Sequence, residues 1–180
     1  MSPDRTRSGR AGVLVSGMAS GYQLRTRLFV ARDLDTTFRF FADAANLQRL
    51  TPPWLNFSIL TPQPVAMAPG TLIDYRIRVH GIPVRWRTEI AEWRPPYQFV
   101  DQQLKGPYWS WHHTHTFTAA GGGTLVEDTV RYRPLGGRIV HRLFVRRDLE
   151  RIFVFRQQEI LAAFGVPSRD PITVSITPLI

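Results

Sequence analysis

Between Tyr22 and Tyr132 apolar and polar positions alternate in short runs, separated by clusters of glycine, proline and asparagine. Alternation sends successive side chains to opposite faces, so each run predicts a strand with one face turned to a core. Seven such strands are expected: Tyr22–Val30, Asn56–Thr61, Thr71–Val79, Val84–Trp93, Gln98–Gln103, Trp109–Ala119 and Thr124–Tyr132. The last five follow one another through the breaks His80-Gly81-Ile82-Pro83, Pro95-Pro96, Lys105-Gly106-Pro107 and Gly121-Gly122-Gly123, which reads as successive hairpins. Two short helices fall between the first two strands. One is capped by Asp33 or Asp35 and runs through Ala42; the other covers Asn46–Thr51 and is stopped by Pro52-Pro53. From about Gly137 to Phe164 the period changes to three and four, with Ile152, Phe153, Ile160 and Phe164 on one stripe.

An antiparallel sheet with one apolar face needs a cover, and the terminal helix is the only element long enough to supply it. The expected fold is therefore α+β: a seven-stranded antiparallel sheet wrapped around a long C-terminal helix, as one domain over residues 21–165. Residues 1–20 read as a disordered arm. Their apolar part is broken by Gly12, Ser16 and Gly17, which argues against a signal peptide, and Met18 offers an alternative start. Pro167 and Pro171 punctuate a loose tail over residues 166–180.

The most informative run is the sixth, which is expected to project Trp109, Trp111, His113, His115 and Phe117 together from one face. Large aromatics mixed with imidazoles suit the wall of a cavity better than a dry core or a solvated surface. If the triple-glycine turn pairs Ala119 with Thr124, then His115 faces Asp128, His113 faces Val130 and Trp111 faces Tyr132. If Gln103 pairs with Trp109, Asp101 faces Trp111 and Phe99 faces His113; Thr88 then faces Asp101 and Trp86 faces Gln103. The resulting inner surface offers Tyr75, Trp86, Asp101, Gln103, Trp111, His113, His115, Asp128 and Tyr132 as ligand contacts amid apolar neighbours, the usual make-up of a small-molecule site. Arg156, four residues from both Ile152 and Ile160, looks inward from the helix; it can hold a carboxylate ligand or pair with Asp101 or Asp128, and the cost of an unpaired buried charge favours the internal pair. Trp54 and Pro62–Gly70 are expected at the cavity mouth.

The phrases FFADAANLQRLTPPWL, GTLIDYRIRVHGIPVRW, FVDQQLKGPYWSWHHTHTF and GGGTLVEDTVRYRPLGG, together with the element order, resemble the START-like or SRPBCC superfamily, in its bacterial ligand-binding branch. The superfamily also includes plant allergens and polyketide aromatase/cyclases. The resemblance covers roughly residues 22–164 and implies a helix-grip fold that binds apolar or amphipathic molecules between sheet and helix.

Two functions then compete. One is a carrier or sensor of a small hydrophobic or amphipathic molecule. The other is an aromatase/cyclase-like enzyme with His115 and Asp128 as an acid/base pair, since a carboxylate fixes the tautomer of its histidine and raises its pKa. Histidines two apart on a strand can also reach one metal ion with a carboxylate. The surrounding aromatic bulk and the want of a third histidine count against that, so no metal or cofactor is expected. No nucleophile elbow, P-loop or dinucleotide fingerprint occurs.

Composition narrows this only a little. The chain has no cysteine, which excludes thiolate chemistry and disulfides and is compatible with the cytoplasm. The net charge of +9 comes from arginine, Lys105 being the only lysine, spread along the chain with one compact group at Arg142, Arg146, Arg147 and Arg151. No recognisable nucleic-acid motif accompanies it, so no nucleic-acid partner is expected. No apolar run is long enough to span a membrane.

Overall fold

The computed structural model describes residues 21–179, so the expectation for residues 1–20 lies outside the described residues. Strands β1 (Tyr22–Val30), β2 (Ser58–Ile59), β3 (Leu72–Val79), β4 (Ile82–Arg94), β5 (Gln98–Lys105), β6 (Tyr108–Ala120), β7 (Gly123–Pro134) and β8 (Val174–Pro178) form one antiparallel sheet in the order β2-β3-β4-β5-β6-β7-β1-β8. The sheet has eight strands rather than seven. The additional strand comes from the supposed loose tail, where Val174–Pro178 pairs with β1 and buries Ile176. The expected strand at Asn56–Thr61 shrinks to two residues.

Helix α1 (Leu34–Ala42) is capped by Asp33, whose Oδ1 accepts from the Thr36 amide at 2.8 Å, and it buries Thr37, Phe38 and Phe41. A single turn, α2 (Asn46–Arg49), and a 3₁₀ turn at Pro53–Leu55 follow. After β7 the chain coils through α3 (Gly137–Val140) and a π-helical turn at His141–Val145 into α4 (Arg146–Phe164). Helix α4 ends at Gly165, whose φ of 62° lets its amide reach back to the Leu161 and Ala162 carbonyls.

Hairpin turns set the register. His80 and Gly81 (φ 50° and 83°) join β3 to β4, and Gly121 and Gly122 (φ 53° and 81°) join β6 to β7. Two consecutive residues with positive φ match the right-handed twist of the flanking strands, which is why these loops are two residues long. The second turn pairs Ala119 with Thr124, and hence His115 with Asp128, His113 with Val130 and Trp111 with Tyr132, as the sequence predicted.

Around β5 the expected register is off by two residues. Asp101 pairs with His113 and Phe99 with His115, while on the other side Asp101 faces Ile90 and Gln103 faces Thr88. The β4–β5 ladder also carries irregularities between Arg87 and Thr88 and between Ile90 and Glu92. A two-residue shift keeps every side chain on its face, so Asp101 still points inward. A further irregularity, between Tyr108 and Ser110, reverses the start of β6. Trp109, expected on the inner face, is 69% exposed, and Tyr108 packs inside in its place.

Helix α4 buries Leu149, Phe153, Gln157, Ile160 and Leu161. Its backbone comes close to β1 and β8, whereas the inner faces of β3 to β6 stand away from it across a cavity. Dry core closes the two ends. Phe38, Phe41, Phe99 and Phe117 gather at one, and Trp86, Trp111, Tyr132 and Phe153 at the other.

Candidate functional site

The cavity holds about 630 Å³ and is walled mainly by apolar and aromatic side chains. The sheet contributes Ile73, Tyr75, Trp86, Thr88, Ile90 and Trp111; the helix adds Leu149, Ile152 and Phe153. Trp54 stands at the margin, packed edge-on against Phe155 and under the Arg151 guanidinium, and Met67 of the Pro62–Gly70 loop also lines the space. That volume suits a small organic molecule.

Its polar wall is a compact cluster of two histidines between two carboxylates. Strand alternation delivers His113 and His115 from β6, with ring centroids 3.7 Å apart. Asp101 arrives from β5 on the cavity side, and Asp128 from β7 lies behind the histidines and outside the cavity lining. His113 Nε2 is 3.0 Å from Asp128 Oδ1, and His115 Nε2 is 3.0 Å from Asp101 Oδ2. The other ring nitrogens complete a square: His115 Nδ1 lies 2.8 Å from Asp128 Oδ1, a close contact without hydrogen-bond geometry, and His113 Nδ1 lies 3.6 Å from Asp101 Oδ2. Thr26 of β1 donates to Asp128 Oδ2 at 3.2 Å. Phe99 stacks on the His115 ring at 4.1 Å, and Phe153 meets His113 edge-on.

Burial is the largest influence on all four groups, and their neighbours decide where each ends up. For Asp128, burial raises the pKa, but the hydrogen bond to His113 and the close approach of His115 outweigh it and hold the carboxyl well below its ordinary value. Asp101 is likewise lowered, against burial, by the charge of His113 and the hydrogen bond from His115. Burial and then the neighbouring charge of His115 push His113 down. His115 goes up, because its hydrogen bond to Asp101 and the adjacent Asp128 carboxylate overcome burial. An ionised carboxylate can only accept, so His113 donates through Nε2 to Asp128 and His115 through Nε2 to Asp101.

Tyr75, Trp86, Asp101, Trp111, His113, His115 and Arg156 all line the cavity. Three predicted contacts do not: Asp128 is held behind the histidines by the bond from His113 and by Thr26, and the other two turn elsewhere. Gln103 turns to the β5–β6 hairpin, where its Nε2 donates to the Tyr108 carbonyl at 2.7 Å. Tyr132 is packed in the core, and its hydroxyl bonds His141 Nε2 at 2.9 Å; Tyr22 stacks on the His141 ring at 3.4 Å. The internal ion pair expected for Arg156 does not form. Asp101 and Asp128 pair with the histidines, while the buried Arg156 Nε has no hydrogen-bond partner among the described residues and the guanidinium lies over the Phe41 ring.

Tyr108, Thr26 and His141 escaped the sequence reading. Tyr108 is brought in by the irregularity in β6, which leaves no trace in the alternation. Thr26 was findable, since it shares the parity of Leu24, Leu28 and Val30 on β1. His141 sits in the π-helical turn, where a period of 3.6 no longer applies.

A curved antiparallel sheet gripping a long helix, with an aromatic and polar-lined cavity between them, defines a helix-grip protein. The sequence matches the family described as polyketide cyclase/dehydrase and lipid transport over residues 30–152, and this chain belongs to that family. Similar solved structures share the fold at low identity. Protein Ms6760 from Mycobacterium smegmatis is 16% identical, with 79% of this chain and 90% of that one covered and a TM-score of 0.60. The major latex-like protein 151 from Panax ginseng is 14% identical, covering 81% and 98% at a TM-score of 0.58. A nucleoside-diphosphate sugar epimerase from Corynebacterium glutamicum is 19% identical at a TM-score of 0.60, over 78% of this chain but only 29% of its own length. No curated protein matches this sequence. Among the described residues no helix is long and apolar enough to cross a membrane.

Proposed function

We propose that the protein is a carrier or sensor that holds a small amphipathic molecule in the cavity, tail among the aromatics and an oxygen-bearing head towards Arg156. The observation that carries this reading is the Arg156 Nε, a buried donor without a partner among the described residues, on the wall of an apolar space. A buried donor left unpaired costs free energy, and a ligand oxygen relieves it. The family description and the cavity volume support the general class of ligand. The test compares dodecanoate with dodecanol, a pair differing only in the head group, by isothermal titration. Wild type is expected to prefer the acid, and Arg156→Gln to lose that preference while still binding the alcohol. No binding of either, or an undiminished preference in Arg156→Gln, contradicts the reading.

A second reading is favoured by one feature. His115, with its raised pKa, borders the cavity and is held between two carboxylates, which is the arrangement of a general acid. Turnover of a polyketide-like carbonyl substrate, lost in a folded His115→Gln protein, would establish an enzyme. Turnover retained in that variant removes His115 from the role.

A further inference from the structure

The His–Asp cluster carries more than a hydrogen-bond network. As a purely structural device it is expensive, because apolar residues of similar volume usually serve a core as well as buried ion pairs do. Its detailed geometry also leaves one pairing unresolved. His113 Nε2 is taken up by Asp128 Oδ1, 3.0 Å away. Its Nδ1 faces Asp101 Oδ2 across 3.6 Å, too far for a hydrogen bond. An imidazole nitrogen and a carboxylate oxygen facing each other over such a gap form a place for a cation.

From this arrangement we propose that Asp101, His113 and His115 bind a divalent transition-metal ion, of the zinc type, at the polar wall of the cavity. The donors are Asp101 Oδ2, His113 Nδ1 and His115 Nε2. One ligand atom from each residue lies within 4.8 Å of the other two. Bonds of about 2.0–2.1 Å in a tetrahedron put donor atoms about 3.3–3.4 Å apart. The Asp101 oxygen already sits 3.0 Å from one donor nitrogen and 3.6 Å from the other, on either side of that spacing.

A second observation points the same way. Metal-bound histidines almost always direct their remaining ring nitrogen at a carboxylate or carbonyl, which fixes the ring and its tautomer. Here both remaining nitrogens, His113 Nε2 and His115 Nδ1, converge on Asp128 Oδ1, and Thr26 in turn holds Oδ2. Asp128 thus stands as the common outer carboxylate for both ligands. The charges balance: two carboxylates neutralise a divalent ion, and binding displaces the proton that His115 Nε2 now gives to Asp101. Three protein ligands leave a fourth position on the cavity side, where Asp101 is the most accessible member of the cluster. That position takes water or an oxygen of the cavity's occupant. The inference uses the same cavity as the proposed function but does not depend on its ligand.

The test titrates Co²⁺, and then Zn²⁺ in competition, into the full chain after chelation and dialysis. Visible d–d absorption reports the ligand field, and dodecanoate binding is measured on the same metal-free sample. One equivalent of Co²⁺ with the spectrum of a four- or five-coordinate site is expected, displaced by Zn²⁺. Asp128→Asn should weaken binding about 10–100-fold, as loss of an outer-shell partner does, and Asp101→Asn should weaken it further, with unchanged far-ultraviolet dichroism. His80→Ala, which removes an exposed histidine beside Asp148 at the cavity margin, should change nothing. An absent d–d spectrum, or one lost in His80→Ala and kept in Asp101→Asn, overturns the site. Dodecanoate binding without metal binding sinks this inference alone, and metal binding without dodecanoate binding sinks the proposed ligand alone.

Discussion

Phe153 is the sharpest test of how the helix and sheet meet. It is 3% exposed, sits on the buried stripe of α4, and faces the His113 ring edge-on while its other side borders the cavity. Truncating a fully buried phenylalanine to alanine costs about 3–5 kcal/mol, the transfer term plus the void left behind. Phe153 lacks packing partners on its cavity side, so fewer dispersion contacts are lost than in a closed core. The expected cost is therefore at the low end, about 3 kcal/mol. For a domain of this size that corresponds to a melting temperature lower by about 6–12 °C, at about 2–4 °C per kcal/mol. Urea unfolding followed by tryptophan fluorescence measures the loss, and Ile139→Ala is the control. Ile139 is 70% exposed, so its change should stay within about 0.5 kcal/mol. A loss under about 1 kcal/mol for Phe153→Ala would refute the packing of α4 on the sheet.

Two further outcomes follow from local geometry. Burial, then the charge of Arg146, lowers the His141 pKa below 6.5, with Glu150 opposing and the Tyr22 ring and Tyr132 hydroxyl packed against it. A depressed folded pKa gives stability that is present above pH 6.5 and is lost as pH falls through the folded value. Wild type minus His141→Gln, compared by urea unfolding from pH 7.5 downwards, should show a stability difference that shrinks below pH 6.5; a constant difference refutes it. Gly81→Ala places a side chain at φ 83° in the β3–β4 turn and should cost about 1–2 kcal/mol in the same assay, with a neutral result arguing against that turn.

Most of the fold was legible because the signals it rests on are local. Alternation named the strands, and the glycine turn of β6–β7 was enough to pair His115 with Asp128. The β5 register slipped by two on both sides because the proline-bearing turns that flank it do not fix which residues pair, and a shift of two leaves the alternation unchanged. The irregularity between Tyr108 and Ser110, equally invisible in the alternation, hid the exchange of Trp109 for Tyr108. Strand β8 was missed because Val174–Pro178 is short and bounded by proline, and it becomes a strand only through pairing with β1. In the candidate site, parity sufficed to put His113, His115, Asp101 and Asp128 on one face. It could not give the Gln103 and Tyr132 side chains their actual partners, since both reach across turns to groups that tertiary packing brings near. Nor could it show the Arg156 Nε without a partner among the described residues. That depends on the histidines having taken both carboxylates.

The five tryptophans offer the most direct test of the central claim, that the cavity receives a ligand. Trp54, Trp86 and Trp111 line it, whereas Trp93 and Trp109 do not. Each indole N–H gives one signal in a ¹⁵N-correlated spectrum, and the Trp86 Nε1 is buried without a partner among the described residues, so its shift should respond strongly to a new neighbour. On titration with 1-anilinonaphthalene-8-sulfonate, an aromatic anion, saturable shifts are expected at Trp86 and Trp111, smaller ones at Trp54 and none at Trp93 or Trp109. Binding that leaves the Trp86 and Trp111 signals in place, or that moves Trp109 instead, would contradict a ligand held between sheet and helix.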